Sequence, residues 1–234
     1  MRNRYFAVIE DLLKEVEEKQ AANVTKAAEI IAESIMSGGI LQAFGSGHSM
    51  AAAIEITGRA GGLIPAKQIR EPAQGKYEQI EGVGTIFCQQ LDVRKEDVVV
   101  LISNSGRNPL SIEIAIYCKS KGAKVIVFTS LEASKKLTSK HSAGKNLWEY
   151  ADVVIDNGVM DGDASIEVEG LPYKVGGTSS VSVAVLENAM MLEAIEIMVK
   201  KGFTPPVFVS SNVDYGQEHN MKYAAQYFDR LFHV

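Results

Sequence analysis

The sequence VVVLISNSGRNP, residues 98–109, decides the predicted fold. Its first five residues are aliphatic and mostly β-branched, which is typical of a strand buried on both faces. The chain then changes to Ser103-Asn104-Ser105-Gly106, and apolar residues recur at helical spacing after Pro109. The stretch therefore predicts a strand, a short polar turn and a helix. Backbone N–H groups and hydroxyls converge at such a junction, and together they favour binding of an anion such as phosphate.

An earlier stretch predicts the same three elements in the same order. Ile40 to Phe44 predicts a buried strand, Gly45-Ser46-Gly47-His48-Ser49 a turn, and Met50 to Arg59 a helix. Residues 124–129 and 152–155 predict further strands, with helical patterns between them. This alternation predicts an α/β fold with a parallel sheet covered by helices on both faces. In such folds the turns after neighbouring strands face one crevice, where ligands bind.

Helical patterns precede and follow the predicted sheet. Residues 3–37 predict two helices or one long bent helix, which packs on the domain or on a second subunit. Further helices are predicted from Thr178 or Ser179 to about Lys201 and over 221–232, whereas 61–86 and 156–177 are read mainly as loop and extended chain. We predict one domain over residues 1–234, with its core at 38–201, N-terminal helices at 3–37 and a C-terminal extension at 202–234.

Composition narrows the class of protein. The 234 residues are 46% apolar and 23% charged with a net charge of −5, so no basic field attracts nucleic acid or a membrane surface. No apolar run approaches the roughly 20 residues of a membrane span, and no signal-peptide pattern is found at the N-terminus. The two cysteines have no metal or redox spacing. We expect a cytoplasmic protein with no nucleic-acid or membrane partner.

A nucleotide cofactor is not predicted either. Gly45-Ser46-Gly47 supplies two glycines of the dinucleotide-binding fingerprint, but Met50 stands where the third is required. We therefore expect no cofactor, and we expect no metal ligands.

The two polar turns together resemble a known family. Phe-Gly-Ser-Gly-His-Ser at 44–49 and Ile-Ser-Asn-Ser-Gly-Arg-Asn at 102–108 resemble the sugar isomerase (SIS) family, particularly its phosphoheptose-isomerase branch. The resemblance covers roughly residues 5 to 200. The stretches at 205–210 and 218–220 resemble a subgroup labelled sugar isomerase domain-containing protein.

The resemblance implies a three-layer, doubly wound α/β fold with a five-stranded parallel sheet, here with N- and C-terminal helical extensions. It also implies a phosphosugar in the crevice. The family's phosphate-binding positions correspond to Ser49, Ser103, Ser105 and Asn108, and Asn108 replaces a Ser or Thr. Ser46 and Asn104, in the same two turns, complete the predicted phosphosugar-binding set. We further expect a homo-oligomer, either a dimer or a tetramer.

This sequence departs from the phosphoheptose isomerases at four positions. Those enzymes carry a His and a Glu on the helix after the first turn, where this chain has Glu55 and Arg59. Their last long helix supplies a Gln and, eight residues on, a His; the counterparts here are Glu187 and Ile195. The zinc-dependent heptose chemistry is therefore not expected.

Four side chains are candidate acid–base groups, because moving a proton between neighbouring sugar carbons requires a base and ring opening requires an acid. They are Glu55, Glu187, His48 and His219. Each has a structural alternative: Glu55 as a surface carboxylate, His48 as a cap of the turn. His219 is a candidate for the site of a neighbouring subunit.

Two functions of different class remain. In the first, the protein is an aldose–ketose type sugar-phosphate isomerase, or a lyase that uses the same proton abstraction. In the second, it binds a phosphosugar without catalysis and signals this to a protein partner.

Overall fold

The computed structural model describes residues 3–232. Its α-helices are α1 Arg4–Met36, α2 Met50–Glu55, α3 Val83–Cys88, α4 Pro109–Ser120, α5 Leu131–Lys135, α6 Ser179–Lys200, α7 Gly216–Ala224 and α8 Phe228–Leu231. Its strands are β1 Leu41–Gly45, β2 Ala66–Gln68, β3 Val98–Ile102, β4 Lys124–Thr129, β5 Val153–Asp156, β6 Ala164–Ile166 and β7 Val175–Gly177. Within this part of the chain, the helices are all too short or too polar to cross a bilayer.

The main sheet has five parallel strands in the order β2-β1-β3-β4-β5, which confirms the predicted architecture. β3 lies at its centre and pairs with β1 over its whole length, from Leu41 opposite Val98 to Gly45 opposite Ile102. The chain runs outward from β1 to β2 on one side and from β3 to β5 on the other. The strand order therefore reverses between β1 and β3, and both polar turns leave the sheet at this point.

Alternate residues of the strands pack on opposite faces of the sheet. Val98, Val100 and Ile102 of β3 pack in a core formed with α1, α2 and α6. Val99 and Leu101 pack in a second core, formed with α3 and α4. The sheet is thus buried on both faces, as the continuous apolar run of β3 predicts.

The N-terminal pattern forms one helix rather than two. α1 contains 33 residues, and its buried stripe includes Val24, Ala28, Ile31 and Ile35. These residues share the first core with α6, which supplies Met190, among others.

Several predicted boundaries were wrong. The helix predicted to reach Arg59 ends at Glu55, and Gly58 follows with a left-handed backbone, φ +66°. The last helix begins at Gly216, not at Met221, and a short 3₁₀ turn at Ala225–Tyr227 interrupts it. The connection 156–177 contains the antiparallel hairpin of β6 and β7.

The C-terminal extension packs along the β2 side of the sheet. The N–H of Ile64 donates to the Pro206 carbonyl at 2.8 Å, and the N–H of Phe208 donates to the Gly62 carbonyl at 2.8 Å. Farther along, Arg230 forms an ion pair with the buried Asp97, just before β3. The extension is therefore fixed at the amino ends of the strands, away from the polar turns. The division into a single domain with these bounds stays a prediction.

Candidate functional site

The first turn, residues 45–49, folds back on the end of β1. A side chain at Gly45 would come within 2.1 Å of the Ser49 carbonyl oxygen, so only glycine allows this approach. Ser46 carries a buried hydroxyl oxygen with no hydrogen-bond partner among residues 3–232. Nε2 of His48 lies 3.1 Å from the Ser180 hydroxyl, in the first turn of α6. The first turn thus contacts the beginning of two helices, α2 and α6.

Neighbouring segments hold the second turn, residues 103–108, mainly by donating hydrogen bonds to its backbone carbonyls. The Asn104 carbonyl accepts from the Thr129 hydroxyl at 3.0 Å, and its side-chain oxygen accepts from the Asn157 amide at 2.7 Å. Gly106 has φ +59° and donates its N–H to the Ser103 hydroxyl at 3.2 Å. Asn104 therefore anchors the turn, whereas the Ser103 and Ser105 side chains remain partly exposed.

Residues 70–82, here named the crossing segment, contact both turns. A side chain at Gly75 would lie 2.7 Å from the Ser46 hydroxyl oxygen, which shows how closely the segment approaches the first turn. At the second turn, the Asn108 amide donates to the Glu78 carboxylate at 3.0 Å. Asn108 is therefore engaged within the chain, and Glu78 is a neighbour of the site that sequence reasoning did not single out. The unusual length of this loop was the only signal for it.

A cavity of about 250 Å³ lies between α2 and α6. Glu55 and Arg59 line it from the α2 side, and Glu187 and Ile195 line it from α6. These are the four positions at which the sequence departs from the phosphoheptose isomerases. Both helices start beside the first turn; Glu55 stands about one and a half helical turns along α2 and Glu187 about two along α6. The residues are far apart in sequence but share one cavity.

The two carboxylates in this cavity have opposite surroundings. Glu187 is 1% exposed, and neither of its carboxylate oxygens has a hydrogen-bond partner among the described residues. Burial raises the pKa of Glu187 to about 9, so it carries a proton at neutral pH. Glu55 is partly exposed, pairs with the Arg59 guanidinium and accepts from the Asn188 amide at 3.2 Å. One carboxyl group is thus neutral and the other ion-paired.

His219 lies in the C-terminal extension. Its Nε2 is 2.9 Å from the Val207 carbonyl, and its ring lies 4.9 Å from the ring of Tyr223. Both contacts are made inside the extension, so the structure does not bring His219 to the two turns through them.

The residues that line this cavity do not match the zinc ligands expected of a phosphoheptose isomerase. Residues 3–232 contain no group of three or more His, Cys, Asp or Glu side chains placed to hold a metal ion. Arg59 and Ile195 occupy two of the four corresponding positions, and a guanidinium would repel a cation.

A larger cavity, about 510 Å³, lies between α1, α5 and the β6–β7 hairpin. Lys19, Lys136 and Lys174 line it together with acidic side chains that include Glu15 and Asp156. It contains none of the predicted site residues, and its charges are mixed. We therefore place the candidate site at the two turns and the smaller cavity.

The comparison with known families agrees with this architecture. The family model described as SIS domain matches residues 4–130, more than half of the chain. The chain belongs to the SIS domain family, as its two turns predict.

Individual proteins similar to this chain were also found. It is 51% identical over 230 residues to a UPF0309 protein of Listeria monocytogenes, covering 98% of both chains. Among solved structures, a phosphoheptose isomerase from Francisella tularensis superposes with a TM-score of 0.58 at 15% identity, covering 83% of this chain and 96% of that one. The Vibrio vulnificus NanR protein, solved as a complex with ManNAc-6P, superposes with a TM-score of 0.54 at 12% identity, covering 97% of this chain and 69% of that one. At these identities the likeness shows the fold.

Proposed function

We propose that this protein binds a phosphosugar between its two turns and catalyses aldose–ketose type isomerisation with Glu55 and Glu187. The observation that carries this proposal is the cavity that both an ion-paired and a neutral carboxyl group line, within about two helical turns of the first turn. Pairs of carboxyl groups with divergent surroundings are typical of acid–base catalysis.

The phosphate half of the proposal rests on the two turns. They leave β1 and β3, where the strand order reverses. Ser49, Ser103 and Ser105 are partly exposed there, whereas the Ser46 hydroxyl is buried and has no hydrogen-bond partner among residues 3–232. Two proteins with this fold support such a ligand, since one is named as a phosphoheptose isomerase and the other was solved as a complex with ManNAc-6P. Asn104 and Asn108, also predicted as ligands, are engaged with Asn157 and Glu78.

The proton-transfer half assigns one role to each carboxyl group. Glu55, as the base, takes the proton from the sugar carbon next to the carbonyl. Glu187, as the acid, gives its proton to the carbonyl oxygen, and an enediol results. Glu55 then returns its proton to the former carbonyl carbon, and Glu187 recovers a proton from the other enediol oxygen. A lyase would use the first abstraction and expel a leaving group from the adjacent carbon.

The remaining predictions are part of the same proposal. We assign His48, in the first turn, to ring opening, and His219 to a neighbouring subunit's site. An exposed apolar stripe on α6, formed by Val185, Leu192 and Val199 at 45%, 59% and 58% exposure, supports a homo-oligomer. A dimer or tetramer and a cytoplasmic location stay predictions.

The experiment is a ligand panel combined with proton exchange. Phosphorylated sugars should raise the melting temperature, and their unphosphorylated parents should not, because the turns recognise phosphate. A ligand at about 100 times its dissociation constant adds about 2.7 kcal/mol. The absence of any shift across a broad panel would refute the phosphosugar site.

The catalytic half is tested with the sugar that binds. In D₂O, wild type should exchange the hydrogen next to the sugar carbonyl, followed by ¹H NMR, whereas Glu55→Gln should bind the sugar and lose the exchange. Binding without exchange in wild type would favour the non-catalytic sensor. Equal exchange in Glu55→Gln would assign the base to another residue.

A further inference from the structure

Arg107, the fifth residue of the second turn, has no anionic partner in the described part of the chain. Its Nε–H is buried and has no hydrogen-bond partner among residues 3–232. In the same part of the chain, no carboxylate forms an ion pair with its guanidinium, although the protein carries a net charge of −5. Buried arginine donors are normally paired, since an unmet hydrogen bond is costly.

Three other side chains of this turn are already engaged, and the fourth, Ser105, is partly exposed and uncharged. The Asn104 side-chain oxygen accepts from Asn157, and the Asn108 amide donates to Glu78. The Ser103 hydroxyl accepts from the N–H of Gly106. Arg107 is therefore the charged donor of the turn that is left without a protein partner.

The engagement of Asn108 also changes the electrostatics of the turn. The family position occupied by Asn108 is expected to touch phosphate, but here its amide contacts the negative carboxylate of Glu78 at 3.0 Å. A phosphate that enters beside Glu78 meets a like charge, which is unfavourable unless a cation lies nearby. Arg107 is adjacent to Asn108 and supplies that cation.

We propose that Arg107 holds the phosphate of the ligand through a two-pronged contact from its two Nη groups, with the buried Nε fixing the guanidinium in place. This rests on the proposed phosphosugar site and adds which residue supplies the charge. A guanidinium matches two oxygens of one phosphate, a geometry that lysine cannot reproduce. A terminal phosphate monoester, as in the proposed phosphosugar, presents two such oxygens to this fork and carries more negative charge than a diester.

The test uses inorganic phosphate as the probe, titrated by calorimetry at pH 7.5 and at two salt concentrations. Arg107→Gln should weaken phosphate binding by about tenfold or more and reduce its salt dependence. Arg107→Lys should fall between Arg107→Gln and wild type, because it keeps the charge but loses the fork.

Lys140→Gln is the matched control. The backbone N–H of Lys140 donates to the Arg107 carbonyl at 2.9 Å, so the two residues are adjacent. The Lys140 side chain is directed elsewhere, since its Nζ donates to Gln79 at 2.7 Å. This variant removes one positive charge near the turn and should leave phosphate affinity within about twofold of wild type.

Each outcome decides a different claim. If Arg107→Gln binds phosphate like wild type, the inference is wrong and the phosphosugar site stands. Equal weakening in Lys140→Gln would assign the effect to the general field and also overturn it. If wild type binds neither phosphate nor any phosphosugar, both proposals fall. Melting curves check that each variant is folded, and Arg107→Lys decides the question if Arg107→Gln is not.

Discussion

Glu187 illustrates how one residue can have two opposed effects on a protein. Its side chain is buried, and neither carboxylate oxygen has a hydrogen-bond partner within residues 3–232; burial disfavours the ionised form and raises the pKa of Glu187 to about 9. Folding therefore stabilises the protonated form. The same burial that makes Glu187 a proton donor at neutral pH makes the fold sensitive to alkali.

The stability of the protein should reveal this titration. Between pH 4.5, the ordinary pKa of a Glu, and about pH 9, the folded chain binds the Glu187 proton and the unfolded chain does not. Wild-type stability therefore falls as pH rises through this window, by up to about 1.4 kcal/mol per pH unit from this group. Glu187→Gln removes that contribution, so its free energy of unfolding should rise relative to wild type from pH 5 to pH 9, as measured by urea denaturation.

A second variant separates titration from packing. Glu187→Met has a similar volume and no proton to lose, and it should show the same relative rise with pH as Glu187→Gln. Parallel curves for wild type and both variants would mean that Glu187 does not titrate with a raised pKa.

At the scale of elements, the N-terminus of α6 is capped by Asp163, the residue just before β6 of the β6–β7 hairpin. Oδ1 of Asp163 accepts from the N–H groups of Thr178 and Ser179 at 2.9 and 2.8 Å, at the N-terminus of the helix. A carboxylate at this end satisfies free N–H groups and complements the helix dipole. The hairpin therefore positions the first turn of α6, where Ser180 meets His48.

Asp163→Ala should lower the free energy of unfolding by about 1–2 kcal/mol, the usual cost of losing a helix cap. Alanine also fits poorly at φ +58°, which adds to the loss. Asp163→Asn is the matched control, because it keeps one acceptor oxygen and tolerates this backbone. If urea denaturation gave the two variants the same stability as wild type, the capping account would be wrong.

Local patterns predicted some elements and missed others for a physical reason. β3 and residues 125–128 of β4 are continuous apolar runs, and this composition predicts burial on both faces of the sheet. β2, Ala66–Gln68, has no such run and is a strand because it pairs with β1. The two polar turns were recognisable from sequence, but the contact of Asn108 with Glu78 joins segments 30 residues apart and has no local signature.

At the scale of the whole molecule, the ion pairs of one residue, Arg230, help to hold the C-terminal extension against the sheet. Arg230 contacts Asp97 at 2.6 Å and Asp92 at 2.9 Å. The Asp97 side chain is fully buried and also accepts from the N–H of Ile40, just before β1. No sequence pattern predicted this pair, because its members are 133 residues apart.

Arg230→Ala should destabilise the protein by about 3 kcal/mol, near the lower end for a broken buried ion pair, since Asp97 keeps other donors. Arg94→Ala is the control, because its exposed pair with Asp92 is a surface interaction that contributes about 1 kcal/mol or less. Equal losses in urea denaturation would show that Arg230 is no more than a surface contact.

The packing of α1 against α6 has a consequence for biosynthesis. The apolar stripe of α1, which includes Val24 and Ile31, is synthesised well before its partner α6, which begins only at Ser179. At ordinary translation rates that interval lasts on the order of ten seconds. Until α6 is made, the nascent chain therefore carries an amphipathic helix whose apolar face lacks this partner, a surface that a chaperone at the ribosome can bind.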